Sequence, residues 1–317
     1  MSQVHLNNRD NPGSEKAAWV FPGQGSQQVG MGRELYIKSS AARRLFYDAD
    51  SVLGRRLSEI IFQGPSYLLQ QTINAQPAIM VVSLVFLAMA QERKLMSSLV
   101  PTYVVGHSLG EYTAAVAAEA FSFEDGLRLV QERGCLMQQA GERNPGAMAA
   151  ILGLDEAAVE ELCQETGAQV CNLNAPEQIV IGGSVEVVEN AIGRARSYGA
   201  QRTIRLNVSG AFHTTLMEFA VEGMTTALAR SEIRDPRVPI IANSSAEPIT
   251  TAAALRGELA YQLTHPVQWQ RSVKYMIANG VATFVEIGPG NVLAGLVRCI
   301  VPEAITININ EVALTGR

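Results

Sequence analysis

Apolar positions along the chain fall into short β-rich runs and one long unbroken run. Three short runs end in glycine turns and pass into helical patterns: AAWVFPGQG from Ala17, PTYVVGHS from Pro101 and VATFVEIGPG from Val281. Strand, turn and helix in that order predict a mainly parallel α/β sheet. Ligands bind such sheets beyond the carboxyl ends of the strands, so the three turns are expected to wall one site. The long run, Pro77 to Ala90 (PAIMVVSLVFLAMA), is interrupted only by Ser83 and closed by Gln91, Glu92, Arg93 and Lys94. A bilayer span takes about 20 apolar residues, so this run reads as a helix buried on all sides, with Pro77 in its first turn.

Between about Pro145 and Val208 the texture changes. AMAAILGL, AQVCNLN, EQIVIGG and AQRTIRLNV read as strands, with DEAAVEELCQET and SVEVVENAIGRARSYG as helices between them. The order is βαββαβ, a ferredoxin-like pattern. It predicts a small subdomain, 145–208, inserted into a main body formed by 17–144 and 209–317. Residues 1–16 (MSQVHLNNRDNPGSEK) lack the basic and apolar regions of a signal peptide and read as a flexible tail. At about 150 residues per domain, a chain of 317 residues suits a large unit carrying a smaller one.

Composition narrows the function. With 47% hydrophobic and 17% charged residues the chain has the balance of a globular protein. A net charge of -5 offers no basic surplus for phosphates, which argues against nucleic-acid binding. Cys135, Cys163, Cys171 and Cys299 form no C-x-x-C pair, so reduced thiols and a cytoplasmic location are expected, with no membrane association. No H-E-x-x-H or Cys/His cluster is present, and no metal site is expected.

The chemistry begins at Gly106-His107-Ser108-Leu109-Gly110, a G-x-S-x-G set between a strand and a helix. That context is what a nucleophile elbow needs, with small residues letting a sharp turn lift the serine hydroxyl clear of the sheet. The helix start beside Ser108 supplies free N–H groups, and that of Leu109 is placed to stabilise an oxyanion. A second such N–H is available from Gln24 in FPGQGSQ, a loop lacking both the third glycine and the lysine of phosphate-binding motifs. A serine needs a base, and the histidines are His5, His107, His213 and His265. His5 lies in the tail, and His107 adjoins the serine within the turn. His213, in NVSGAFHTTLM, is the favoured candidate, and His265, before Pro266, is the alternative. No acidic residue stands out as a third triad member, so a Ser–His pair oriented by a backbone carbonyl or an amide is as compatible as a full triad. Arg133 projects from the apolar stripe of FEDGLRLVQERGCLMQQ, among Leu129, Val130, Leu136 and Met137. An inward arginine requires an internal acid, an outward-snorkelling stem, or a ligand carboxylate held by its two-pronged head.

Taken together, VFPGQGSQ, NAQPAIM, GHSLGEY, the helix carrying QERG, GAFHTTLM, HPVQW and VEIGPGNVL resemble the malonyl-CoA:acyl carrier protein transacylase family and the related acyltransferase domains of polyketide synthases. The resemblance runs from Val20 to about Arg298 and implies a hydrolase-like main domain with a ferredoxin-like subdomain. It implies that Ser108 takes the acyl group as an ester, with His213 as base and then acid and Gln24 and Leu109 as the oxyanion hole. Arg133 would bind the malonyl carboxylate. The backbone carbonyl of Gln262 would orient the histidine, and Gln76 would line the pocket. Phe212, beside His213, resembles the malonyl-selective members, its ring leaving little space for an α-methyl branch.

The resulting expectation is a malonyltransferase using ping-pong chemistry, with a coenzyme A thioester and an acyl carrier protein as partners and no cofactor of its own. The alternative is a trans-acting acyltransferase or acyl hydrolase of a polyketide pathway. A non-catalytic scaffold on the same fold is a third class, disfavoured by the presence of Ser108, His213 and Arg133 together. A monomer is expected. Arg43 with Arg44, Arg55 with Arg56, and Arg194 with Arg196 are candidate basic pairs for carrier docking.

Overall fold

The computed structural model describes residues 16–316, so all but the last residue of the expected tail lies outside the described residues. That last residue, Lys16, opens the first strand instead. Ten strands are present among the described residues: β1 (Lys16–Phe21), β2 (Pro101–Gly106), β3 (Gly146–Leu152), β4 (Gln169–Ala175), β5 (Gln178–Ser184), β6 (Arg202–Arg205), β7 (Ile240–Ile241), β8 (Pro248–Ile249), β9 (Val281–Ile287) and β10 (Ile305–Ile309).

The larger sheet has the order β10-β9-β1-β2-β7-β8 and is parallel except for β8. Side chains alternate across it. Trp19 and Phe21 enter one core with the helices Thr72–Glu92 and Phe123–Arg143, while Ala18 and Val20 enter a second with the helices Trp269–Ala278 and Val292–Ile300. Burial on both faces explains why its central strands read as continuous apolar runs. In register, Phe21 pairs with Gly106 and Val20 with Glu286, so the ends of β1, β2 and β9 finish together. The three glycine turns therefore meet at one edge.

In the helix Thr72–Glu92 every residue from Asn74 to Leu87 is buried. The helix begins five residues before Pro77, so that proline lies inside it rather than in its first turn. An interior proline cannot bond the carbonyl four residues back. Here Arg55 Nη2 donates to that carbonyl, Ile73 O, at 3.1 Å, so the position is not left unsatisfied.

The second sheet is antiparallel with the order β4-β5-β3-β6, and its core is closed by the helices Glu156–Thr166 and Val185–Ala195. This is the βαββαβ arrangement, with Asp155 and Ser184 capping the two helices through their side chains. It is tied to the rest of the molecule by Val267, whose N–H donates to Cys171 O at 2.8 Å and whose carbonyl accepts from Leu173 N at 2.9 Å. That join sets Asn174 of β4 against the turn after β2, where its Oδ1 lies 2.8 Å from His107 Nε2.

Candidate active site

Ser108 sits between β2 and the helix Gly110–Ala117 with φ of 51°, the left-handed conformation of a sharp elbow. The turn is possible only because its flanks are glycine. A Cβ on Gly106 would lie 1.8 Å from Gly110 C, and one on Gly110 would lie 2.1 Å from Phe21 O. Asn243 braces the elbow, its Oδ1 accepting from Ser108 N at 2.7 Å and its Nδ2 donating to Gly106 O at 2.7 Å.

Ser108 Oγ lies 2.8 Å from His213 Nε2, and His213 Nδ1 lies 2.7 Å from the carbonyl of Gln262. The carbonyl accepts, so Nδ1 carries the proton and Nε2 is free to receive the serine proton. His265 is not at the site: its ring stacks on Tyr261 and its Nδ1 bonds Tyr261 O. Asp125 and Asp155 are engaged elsewhere: the Asp125 carboxylate accepts from Ser122 Oγ and Arg128 Nη1, and Asp155 caps the helix Glu156–Thr166. His213 is buried, and burial, reinforced by the Arg133 cation, pushes its pKa down to about 3. The imidazole is neutral at physiological pH.

Arg133 is 1% exposed. Its Nη1 donates to Gln76 Oε1 at 2.7 Å, while Nη2 donates to Gln262 Oε1 at 2.7 Å and to Ser108 Oγ at 3.1 Å. The guanidinium lies over the Tyr112 ring, 5.4 Å from its centroid. No carboxylate lies within ion-pair distance of it among the described residues, and its buried Nε has no partner. Of the ways to accommodate an inward arginine, an internal acid partner and an outward-snorkelling stem are both absent here. What remains is a desolvated cation held by neutral oxygens beside Ser108, an arrangement suited to an incoming anion.

The loop after β1 packs on the elbow. His107 N donates to Phe21 O at 3.1 Å, and a Cβ on Gly23 would lie 2.4 Å from His107 O. The backbone N–H groups of Gln24 and Leu109 have no acceptor among the described residues. The Gln24 side chain bonds Thr72 Oγ1 at 3.1 Å. Phe212 is buried in the larger core with its ring against Gly210. One member of each basic pair is already engaged. Arg43 donates to Tyr36 O and Ile37 O, Arg55 turns inward to Asn74 and Gln131, and Arg194 pairs with Glu165. The described residues contain no group of three or more metal-ligating side chains.

Sequence reasoning missed Glu111 and Asn243. Glu111 Oε2 accepts from Gln262 Nε2 at 2.6 Å and Oε1 accepts from Asn243 N at 3.1 Å. The available cue was an acid in the first turn of the otherwise uncharged helix Gly110–Ala117.

An elbow serine bonded to a histidine, on a mainly parallel α/β sheet with a ferredoxin-like companion, is the arrangement of enzymes that carry acyl groups on serine, hydrolases and acyltransferases alike. The family described as acyl transferase domain matches residues 18–314. The chain is 45% identical over 301 residues to the malonyl CoA-acyl carrier protein transacylase of Bacillus subtilis, covering 93% of this chain and 94% of that one. Among solved structures, the acyl-carrier-protein-S-malonyltransferase of Bartonella henselae superposes with a TM-score of 0.89 at 41% identity, covering 94% of this chain and 96% of that one. A malonyl-transacylase solved in complex with its type II PKS acyl-carrier protein superposes at 0.90 with 36% identity, covering 94% of this chain and 97% of that one. The chain belongs to the acyl transferase family and, within it, to the malonyl CoA-acyl carrier protein transacylases.

Proposed function

We propose that the protein moves the malonyl group of malonyl-CoA to the phosphopantetheine thiol of an acyl carrier protein through an ester on Ser108. The observation that carries this reading is Arg133, a buried cation with no acidic partner, donating to the nucleophile's own oxygen at 3.1 Å. A malonyl carboxylate is the anion that would sit there while its thioester carbonyl meets Ser108.

His213 Nε2 takes the hydroxyl proton as Ser108 Oγ attacks the thioester carbonyl, and the N–H groups of Gln24 and Leu109 receive the oxyanion. Collapse breaks the C–S bond, and the departing coenzyme A sulfur takes the proton from His213. The carrier's thiol then gives its proton to His213 and attacks the seryl ester, and the proton returns to Ser108 as the malonyl thioester leaves. Gln262 holds the imidazole in one tautomer through both halves. Gln76 holds Arg133, and the Phe212 ring limits branching next to the carbonyl. No cofactor is needed, since phosphopantetheine arrives on the partner. The free thiols suit the cytoplasm. A hydrolase of acyl chains would have no use for Arg133, which favours transfer over the hydrolytic alternative.

Labelled malonyl-CoA tests the proposal. The wild-type chain should carry a stable label that Ser108→Ala lacks and that passes to an acyl carrier protein on addition. An unlabelled wild type would refute it.

A further inference from the structure

Glu111 is the second residue of the helix Gly110–Ala117 and is completely buried behind the reacting groups. Nothing in the acyl-transfer steps calls for an acid there. Burial and the neighbouring Glu258 push its carboxyl above the usual carboxylate range, against the pull of its N–H donors and Arg133. Both of its oxygens accept from N–H groups, Oε2 from Gln262 Nε2 at 2.6 Å and Oε1 from Asn243 N at 3.1 Å. Glu258 is differently employed, bonded to the N–H and hydroxyl of Ser244.

The consequence lies in Gln262. A side-chain amide has a donating and an accepting end, and its neighbours decide which end faces where. The lone pairs of Glu111 draw the NH2 end of Gln262 toward them, which leaves Oε1 facing Arg133 Nη2 at 2.7 Å. With the amide reversed, an NH2 group would meet the guanidinium, donor against donor. Glu111 is itself not within ion-pair distance of Arg133, so it steers the cation without occupying it.

We infer that Glu111 is a positioning residue that fixes the Gln262 amide, and through it the Arg133 guanidinium, so that the protein prefers acyl groups bearing a carboxylate. This rests on the reading that Arg133 receives the malonyl carboxylate.

Two variants test it, read as single-turnover acylation of Ser108 by malonyl-CoA and by acetyl-CoA using intact-protein mass. Glu111→Gln replaces an acceptor with a donor, so one of its two contacts becomes donor against donor. Malonyl acylation should fall roughly tenfold or more, as expected for losing a charge-assisted contact, while acetyl acylation changes far less. Combining Glu111→Gln with Gln262→Glu restores a donor–acceptor pair and should recover the melting temperature. It also lays a carboxylate directly on Arg133, so the malonyl preference should remain lost. A wild-type malonyl:acetyl ratio in either variant, or equal losses with both substrates, would overturn the inference. If the single variant fails to fold, the ratio in the double variant decides. A wild type that forms no malonyl ester refutes the proposed function itself, whereas a malonyl-preferring wild type with unchanged variants refutes only the role of Glu111.

Discussion

Arg133 and Ser108 share a hydrogen bond, Nη2 to Oγ at 3.1 Å, while His213 Nε2 lies 2.8 Å from the same oxygen. The hydroxyl proton points to the imidazole and a lone pair is taken by the guanidinium. Under the proposed function, a carboxylate arriving at Arg133 would compete for that donor and offset a charge that, after burial, holds down the basicity of His213. On the proposed function, substrate binding and activation of Ser108 would be coupled at this one side chain.

Removing that side chain should separate substrates by charge. Arg133→Ala is expected to slow malonyl transfer by roughly 10- to 150-fold, the equivalent of about 1.5 to 3 kcal/mol for a charge-assisted contact, and to slow acetyl transfer much less. Arg133→Lys should recover only part of the loss, because an ammonium cannot serve Gln76, Gln262 and a carboxylate with one planar fork. Steady-state rates with both thioesters decide this, and equal losses would assign Arg133 to packing.

The depressed pKa of His213 has a consequence for stability as well as rate. An unfolded histidine takes up a proton near pH 6.5, whereas the folded imidazole resists until about pH 3. Across that window the unfolded state binds more protons, so stability should fall as pH falls, by up to about 1.4 kcal/mol per pH unit from this group. His213→Gln should flatten the acid side of a plot of melting temperature against pH. In the wild type the acid limb of kcat/KM for acylation should lie well below pH 6.5. A limb centred at 6.5 would show a solvated, ordinary imidazole.

How far the residue pattern alone reached can be judged from these groups. Ser108 was legible because its elbow depends on local spacing, with glycines at set offsets between a strand and a helix. His213 and Arg133 were legible as an imidazole after a glycine turn and a cation on an apolar stripe. The partners of Arg133 were not readable from spacing, since Gln76 and Gln262 are ordinary polar residues until the fold converges on them. They entered only through family resemblance. Glu111 and Asn243 were missed for the same reason, their roles being set by contacts more than a hundred residues apart in sequence. Strands β7 and β8 have two residues each, too short to show alternation, and the five-residue edge strand β10 is not followed by a glycine turn and long helix, so only β1, β2 and β9 of the six strands were read. Pro77 pointed to a helix start that lies at Thr72, because Arg55, distant from that turn in sequence, satisfies the carbonyl it orphans.

Asn243 should matter to the nucleophile and not to substrate charge. Asn243→Ala leaves Ser108 N and Gly106 O without their partner, and each buried orphan costs about 1 to 3 kcal/mol. The expected outcome is a lower denaturation midpoint and slower acylation by malonyl-CoA and acetyl-CoA alike, since the Asn243 side chain bonds only the elbow backbone and its link toward Arg133, the N–H on Glu111, survives in the variant. A selective loss of malonyl transfer would contradict that division of roles.

The elbow glycines give the sharpest stability test. At Gly110 an added methyl would lie 2.1 Å from Phe21 O, a backbone atom of the central strand that cannot swing aside. Gly110→Ala should therefore exceed the about 1 to 3 kcal/mol usual for overpacking, and should remove activity by displacing Ser108. Gly193 provides the contrast. It lies within the helix Val185–Ala195, and a Cβ there meets nothing within 4 Å. Gly193→Ala should raise stability by about 0.4 to 1 kcal/mol through lost backbone freedom in the unfolded chain and better helix propensity. Denaturant unfolding of both variants checks the pair, and a Gly110→Ala protein as stable and active as wild type would mean that the loop after β1 can retreat from the elbow.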